Sequence, residues 1–438
     1  MPEERPAEPS PCYISFPYTR PISGRTITIQ RFPETLRGGI NWSYPAPLAV
    51  SLGPYHHGSP MVGEVEKVKQ HVMERLCFES GCTVEAVREK MRSVAGSARA
   101  CYANDEKLSG VDADAFADMM ALDGCFLLQF IVSMCPEDPD SPPDALMSMA
   151  EIHTRFDIIA RDIMLLENQV PWVVVKALME FRTVPAAASV DKFISVMAAT
   201  FDVRSVNPFA GTATGSSSSS NDDGEHEPTH ILGLFQYRQV SGSARGHHHN
   251  AGLTTLSSIF SSAMELAEIG VRLTSSKMTK FGEMSMKKGR FLHGELSLAP
   301  VFLNELTACW LINMAAYEAC VGATQADNYA VSSYISLVAL LIDREGDVKE
   351  LRAKSIVHST FSDDQALGFF KLLSSRLRIG RRYYHIFECL QEYKKERWVW
   401  IVVHKFFYKN IKVIVTVLSV IGVLAGIFKT LVSLRPQK

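Results

Sequence analysis

The sequence contains none of the short motifs that identify the common catalytic folds. It has no GxxxxGK[ST] phosphate loop, no GxSxG nucleophile elbow, no GxGxxG turn and no kinase signature. The segment closest to the elbow, Gly242 to Gly246, carries Ala244 where the nucleophile would stand. These absences exclude the families that depend on those motifs, and they favour a protein without catalytic activity.

A large excess of either charge is missing as well. The 438 residues include 45 lysines and arginines against 47 aspartates and glutamates, a formal net charge of −2. Proteins that bind nucleic acid usually carry a basic excess, so we expect no nucleic-acid partner. The hydrophobic share of 47% is enough for one large or two ordinary domains with buried cores.

Export signals and paired cysteines are also lacking. The first 25 residues hold charges and prolines in place of an apolar run, so we expect a disordered segment and no signal peptide there. The nine cysteines show no paired spacing and are expected to be reduced thiols. The nearest two, Cys77 and Cys82, are expected on one helix, where their spacing does not suit a disulfide.

Hydrophobic periodicity predicts a mainly α fold with a small β component. Most of the chain shows helical spacing, including 84–107 and 151–166, while strand-like alternation is confined to residues 270–274 and 289–303. The predicted organisation is a disordered segment (1–25), an α-rich globular domain (26–403) with flexible loops near 205–228 and 241–252, an interfacial region and transmembrane helix (404–434), and a short tail (435–438).

Residues 116–134 are apolar on nearly every face and could be taken for a membrane span. Asp118, Asp123 and Gln129 interrupt them, each at a cost of up to about 3 kcal/mol for insertion. We therefore interpret this segment as the central helix of a soluble core.

The stretch at residues 411–434 is a stronger candidate for a membrane span. It is uncharged from Val413 to Phe428, a length of roughly 24 Å in a helix, and Lys412 and Lys429 can reach the interface at its two ends. We interpret it as a membrane-spanning helix. The alternative is a buried core helix, although a terminal helix that is apolar on all faces leaves no side for water.

Charged and aromatic residues around this stretch are arranged as in single-pass membrane proteins. The basic excess lies before the span, which places the body on the cytosolic side and should attract anionic lipid. We expect the plasma membrane as the location, the bilayer as one partner and an unknown protein as another, with Gly422 and Gly426 as a GxxxG pattern for homo- or hetero-oligomers. The basic residues are Arg376, Arg378, Arg381, Arg382, Lys394, Lys395, Arg397, Lys405, Lys409 and Lys412, and the interfacial aromatic residues are Trp398, Trp400, Phe406, Phe407 and Tyr408.

A loop rich in glycine and histidine is the first candidate polar site. Its adjacent histidines could act as ligands or as an acid–base pair. Neighbouring side chains on a loop point apart, however, so we favour a loop in which one imidazole caps a backbone group. The loop is Gly53-Pro54-Tyr55-His56-His57-Gly58.

A second polar block ends the helix predicted at residues 151–166. It includes Asp162, Glu167, Asn168, Gln169 and Pro171. These side chains could form a polar site between helices, but we favour caps and core hydrogen bonds. Pro171 suits the first turn of the next helix, whose free amides Asn168 or Gln169 can satisfy.

Residues His226 to His230 match the HExxH pattern of zinc proteases. Because Pro228 fits the first turn of a helix but not its interior, we expect the helix to begin there and His226 to lie outside it. We expect no metal at this site and no metal or cofactor elsewhere, and His230→Ala should leave the stability almost unchanged. The run His247–His249 is interpreted as a solvated loop.

Five blocks of the chain are distinctive when they are taken together: Leu52–Gly58, Met119–Phe126 (with Asp123 and Gly124), Asp162–Pro171, Tyr329–Tyr334 and Glu396–Trp398. In this order they resemble the plant family called domain of unknown function 247. The resemblance covers roughly residues 26–434, and Ala121, where a second leucine is usual, departs from it. It implies a plant-specific, membrane-associated protein with no established catalytic activity and no known catalytic residues. Some grass members are linked to self-incompatibility loci as candidate pollen-side recognition components.

We therefore expect a membrane-tethered recognition or signalling protein that is not an enzyme, with a self-incompatibility component of a grass as its most specific form. One alternative is a hydrolase that uses His56, His57 or residues 162–168, which requires those groups to converge in one pocket. Another is a purely structural scaffold. Asn41 lies in a glycosylation sequon, which is used only if the body faces a lumen or the cell exterior.

Overall fold

The computed structural model describes residues 12–13, 28–38, 44–103, 106–136, 145–182, 186–202, 228–240, 262–277, 279–282, 284–288, 293–321, 329–380 and 384–433. These residues form a mainly helical fold with a small β component, as predicted. The sequon at Asn41, His226 and the run His247–His249 lie outside the described residues.

The helices are α1 (Glu34–Arg37), α2 (Gly63–Ser80), α3 (Val84–Ala100), α4 (Glu106–Ser109), α5 (Ala113–Met134), α6 (Ala145–Ser148), α7 (Ala150–His153), α8 (Phe156–Ile163), α9 (Trp172–Met179), α10 (Ala187–Ala199), α11 (Ile231–Val240), α12 (Ala263–Glu268), α13 (Glu305–Val321), α14 (Ala330–Leu341), α15 (Glu345–Ala353), α16 (Asp363–Ser374), α17 (Tyr384–Glu396) and α18 (Trp398–Ser433). The strands are β1 (Cys12–Tyr13), β2 (Val271–Ser275), β3 (Ser285–Lys288), β4 (Gly294–Leu298), β5 (Val301–Leu303) and β6 (Val357–Ser359).

Helix α5 lies at the centre of the body, which confirms its assignment as a core helix. Asp112 caps its first turn, since the Asp112 carboxylate accepts the Ala115 amide at 2.7 Å. Of its most apolar 18 residues, 78% are buried. Helices α2, α3, α9 and α10 pack around it. Gly124 allows the close approach of α9, because a Cβ at this position would lie 2.6 Å from Leu178 Cδ1.

A second helical layer is built on α13 and α14, which are buried along most of their length. Helix α13 contacts α8, α11 and β5, and α14 packs against α16. One continuous cluster of buried apolar residues joins both layers and extends from Ile29 to Tyr393.

The β component is a four-stranded sheet in the order β1-β3-β4-β2. Strands β2 and β4 are parallel, with Val271 opposite Gly294, and the other two pairs are antiparallel. Strand β1 lies in the segment predicted to be disordered. Strands β5 and β6 form a separate parallel pair. Strands β3 and β6 were not predicted, because four and three residues are too few for a period-two pattern to be recognised.

Several helix boundaries differ from the predicted ones. The helix predicted at residues 151–166 is broken into α7 and α8, and the one predicted at 84–107 ends at Ala100. Cys77 and Cys82 are not on one helix, because Gly81 adopts φ +64° and ends α2 between them. The chain then turns back, so that the Cys82 amide donates to the Cys77 carbonyl at 3.0 Å. Both thiols are free.

Helix α18 begins at Trp398, earlier than the predicted start of the membrane region. Its first turns lie on α12, where His404 Nδ1 is 2.9 Å from the Glu268 carbonyl oxygen. Beyond Asn410 nearly all of its described side chains are exposed, and none of its most apolar 18 residues is buried. It is therefore long and apolar enough to cross a membrane.

Candidate functional site

The two predicted polar blocks converge on one extended segment, residues 48–53. Apart from Leu48, whose side chain is exposed, this segment is buried, and it belongs to neither a helix nor a sheet. A buried backbone needs hydrogen-bond partners, and here they come from side chains of α2, α5, α8 and the loop after α8. The side chains are those of Glu66, Lys69, Asp123, Asp162 and Asn168. We call these five side chains, together with residues 48–53, the polar clamp.

Asp162 binds the beginning of the segment. Its Oδ2 accepts the amides of Leu48, Ala49 and Val50 at 2.9, 2.7 and 3.1 Å, and its Oδ1 accepts Arg161 Nη1 at 2.6 Å. The side chain is fully buried. Burial raises the pKa of Asp162, while the amides and the guanidinium oppose that rise.

Asp123 and Lys69 hold the other end of the segment. Lys69 Nζ donates to Asp123 Oδ1 at 2.6 Å and to the Ser51 carbonyl at 2.5 Å, and Asp123 Oδ2 accepts the Gly53 amide at 2.7 Å. Burial raises the pKa of Asp123, and attraction to Lys69 opposes it. Gly53 has φ +79°, and a Cβ there would lie 2.6 Å from the Tyr102 hydroxyl, so this position requires glycine.

Asn168 binds the middle of the segment. Its Oδ1 accepts the Leu52 amide at 2.7 Å, and its Nδ2 donates to the Val50 carbonyl at 3.0 Å. Because both ends of the amide are used in this way, the side chain acts like a short piece of a neighbouring strand.

Gln169 caps a different helix from the one predicted. Its Oε1 accepts the Leu232 amide at the start of α11 at 3.0 Å, and its Nε2 donates to the Ile163 and Leu165 carbonyls at 2.7 Å each. Pro171 is the residue before α9 and has a φ of −58°. The prediction that Asn168 or Gln169 caps α9 is therefore wrong, whereas the interpretation as core hydrogen bonds agrees with the structure.

The carboxylate of Glu167 contacts side chains and one backbone amide from residues 31–56. Its Oε1 accepts the Phe32 amide and Arg37 Nη2 at 2.7 Å each, and its Oε2 lies 3.1 Å from both Arg31 Nη1 and His56 Nε2. Burial would raise the pKa of Glu167, but the hydrogen bonds from His56 and the Phe32 amide, together with the charge of Arg31, hold it below its usual value.

The glycine–histidine loop is divided between the core and the surface. Pro54 and Tyr55 are buried, and His57 and Gly58 are exposed. Tyr55 donates its hydroxyl toward the carbonyl oxygens of Ile29 and Ala103, both at 3.2 Å. His56 contacts the carboxylate of Glu167 and not the predicted backbone group.

This arrangement supports binding of backbone more than chemistry on a substrate. The oxygens of Asp162, Asp123 and Glu167 are occupied by amides and cations, and each carboxylate is at most 3% exposed. Within the part of the chain that the structure describes, no three histidine, cysteine or carboxylate side chains are grouped to hold a metal ion.

His230 lies deep in the core, just before α11, which begins at Ile231 and not at Pro228. Its Nδ1 accepts the Gly233 amide at 3.1 Å, and its ring packs edge-on against Tyr317. Burial lowers its pKa to about 3. His230→Ala would remove both contacts and leave a cavity, so the structure predicts a loss of stability, where the sequence alone predicts almost none.

Several residues of these networks were not among the predicted site residues. Lys69 is one of them, although it shares a helical face with Val65, Val72 and Leu76, all of them buried. That spacing was the available signal. Glu318 was also missed: its carboxylate caps α14 by accepting the amides of Val331 and Ser332 at 2.8 and 2.9 Å. The sequence around a single glutamate in an apolar helix does not indicate which residues its carboxylate contacts.

The candidate residues of the membrane span all lie on α18. Val413, Gly422 and Gly426 are exposed, and Phe428 belongs to the helix although its side chain is outside the described part. A Cβ on either glycine would meet no atom within 4 Å. The two glycines share one helical face, as GxxxG pairing requires.

Comparison with protein families matches residues 29–425 to a family described as plant protein of unknown function, DUF247. The chain belongs to this family. It is 24% identical over 399 residues to the UPF0481 protein At3g47200 of Arabidopsis thaliana, which covers 84% of this chain and 77% of that relative. It is 27% identical over 178 residues to the UPF0481 protein At3g02645 of the same plant, covering 39% of this chain and only 30% of that relative. No solved structure matches the chain.

The family match contains the whole polar clamp and most of α18. The predicted family is thus confirmed, and the description of the family assigns no activity to any of these residues.

Proposed function

We propose that this family member is a membrane-anchored recognition or signalling component of a plant cell, without catalytic activity. The observation that supports this proposal most strongly concerns α18. Its apolar surface is exposed over its second half, while its first turns contact the body. An exposed helix of this composition is stable in lipid and not in water. The basic excess before Val413 supports a body on the cytosolic side, and the plasma membrane is the location we propose.

The polar clamp and the neighbouring Glu167 support the non-catalytic part of this proposal. A catalytic carboxylate has to reach a substrate, but those of Asp123, Asp162 and Glu167 are committed to backbone amides and cations. The clamp then holds residues 48–53 in one conformation, so that the neighbouring loops present a constant surface to a protein partner. Pollen-side recognition in a grass is the most specific form of this proposal, and it rests on the resemblance alone.

The experiment is proximity labelling in the native tissue with two chains, the full one and one that ends at Asn410. The shorter chain keeps the body and the docked turns of α18 but loses the apolar stretch. We expect the full chain to resist carbonate extraction and to label a defined set of membrane-proximal proteins that the shorter chain does not label. An extractable full chain, or identical labelling by both chains, would contradict the proposal.

A hydrolase remains the second candidate because His56 Nε2 lies 3.1 Å from Glu167 Oε2, a histidine–carboxylate pair of the kind used in general base catalysis. Purified protein and its His56→Gln variant should be compared on a panel of ester substrates, with His57→Gln as the matched control. Turnover that is lost only in His56→Gln would favour the hydrolase.

A further inference from the structure

Three lysines share one face of α18 beside the line where this helix meets the body. Lys405, Lys409 and Lys412 are separated by four and three residues, the spacing of neighbours on a helix surface, and all three are exposed. The Nζ atoms of Lys405 and Lys409 lie 3.4 and 3.6 Å from the same oxygen, Glu268 Oε2. The carboxylate of Glu268 on the body thus forms ion pairs with both Lys405 and Lys409 of the helix.

The depth of these lysines follows from the uncharged stretch that begins at Val413. At the helical rise per residue, Lys412 and Lys409 lie roughly 2 and 6 Å outside the hydrocarbon, and Lys405 about 12 Å outside it. The headgroup layer is about 5–8 Å thick on each side of the bilayer. Lys409 and Lys412 therefore lie at the level of lipid phosphates. Lys405 lies about 4–7 Å beyond that layer, a gap that its long side chain can narrow.

We propose that this lysine face binds the phosphates of anionic lipid headgroups and that Glu268 competes with the lipid for Lys405 and Lys409. The inference rests on the proposed membrane function, since it requires α18 to span the bilayer. A half-exposed ion pair and a lysine–headgroup contact are of comparable strength. The lipid composition of the leaflet therefore decides which anion the lysines hold.

The exchange has a consequence for the body. Glu268 is the last residue of α12, and its carbonyl oxygen contacts His404 at 2.9 Å. When lipid phosphates replace the Glu268 carboxylate, the body is held at α18 through His404 and the apolar contact of Ile401, without the ion pairs. Anionic lipid thus loosens the attachment of the body to its anchor.

The test uses the full chain in nanodiscs of phosphatidylcholine that contain one fifth phosphatidylserine. Energy transfer from tryptophan, with Trp398 and Trp400 at the junction, to dansyl-phosphatidylserine and to dansyl-phosphatidylcholine gives the lipid preference. We expect the triple variant Lys405→Gln, Lys409→Gln, Lys412→Gln to lower the preference for phosphatidylserine at least about fivefold, and Glu268→Gln to raise it about two- to fivefold.

The matched controls carry the same changes at ion pairs elsewhere on the body. They are a triple glutamine variant of Lys90, Lys349 and Lys371, and Glu180→Gln. Neither should change the lipid preference. An unchanged preference in the Lys405/Lys409/Lys412 variant would overturn the lipid site, and an unchanged preference in Glu268→Gln would overturn the competition.

Displacement of labelled phosphatidylserine by soluble phosphate would assign the site to a free anion and also overturn the inference. A failure of the proposed membrane function is visible earlier and separately. In that case the chain would not co-purify with the nanodiscs at all, whatever their composition.

Discussion

Glu318 is the residue whose ionisation should be visible in the stability of the body. Burial raises its pKa to about 7, above the value of about 4.5 for an unfolded glutamate. The native state therefore holds this proton more tightly, so its contribution to stability is complete below about pH 4.5 and is lost as the pH rises through about 7. At about 1.4 kcal/mol per pKa unit, the loss is on the order of 3 kcal/mol.

We expect Glu318→Gln to remove this fall in stability. The measurement is the free energy of unfolding in denaturant for both proteins at acidic and at slightly alkaline pH, compared as a difference so that other titrating groups cancel. Glu345→Gln, at an exposed carboxylate of α15, is the control and should leave the pH profile unchanged. A constant difference between wild type and Glu318→Gln across the pH range would refute the assignment.

Asp162 gives the second expectation at the residue scale. Asp162→Asn keeps the shape but presents an NH₂ group either to the amides of residues 48–50 or to Arg161. Leaving buried groups unsatisfied costs about 2–4 kcal/mol, so the melting temperature should fall by several degrees. Asp157→Asn, on the exposed face of α8, is the control. Equal melting temperatures for all three proteins would show that the clamp does not stabilise the fold.

At the scale of the element, α18 combines two parts with different surroundings. The sequence placed the membrane region at residue 404 because charges and aromatic residues mark the interface there. The helix begins earlier, at Trp398, because Ile401 and His404 pack on the body. Where the helix starts is decided by this docking, and where its uncharged stretch starts is decided by the preceding charge, Lys412.

Two truncated chains, one ending at Asn410 and one ending at Glu396, measure what the docked turns of α18 contribute to the stability of the body. We expect the chain ending at Asn410 to be more stable by about 1–3 kcal/mol, since it keeps the burial of Ile401 and the contacts of Glu268. Denaturant unfolding monitors this difference, and the double variant Ile401→Ala, His404→Ala in the longer chain should reproduce it. Equal stability of the two chains would mean that the docked turns contribute nothing to the body.

At the scale of the whole molecule, the proposed membrane anchor would place the body on one side of a bilayer. The basic residues before Val413 favour the cytosol, and a cytosolic body would leave Asn41 without a glycan. We expect the protein from its native tissue to show no glycosidase-sensitive shift that Asn41→Gln abolishes. Such a shift would place the body outside the cytosol and turn the lysine face of α18 toward the opposite leaflet.

The sequence by itself determined what depends on neighbouring residues. The helical period of α5, its interruption by Asp118 and Asp123, and the uncharged run from Val413 to Phe428 can each be read within a window of about 20 residues, because helix formation and membrane insertion respond to local composition. The family match could likewise be anticipated from its short blocks.

Only the tertiary structure decided the partners of the polar residues. Asp162 binds the amide of Ala49, 113 positions away, and Glu167 binds that of Phe32, 135 positions away. Lys69 is exposed or buried according to whether α5 packs on its side of α2. Periodicity marks such residues as polar or apolar, but the contact between distant residues depends on how the helices pack, and that packing is a property of the whole chain.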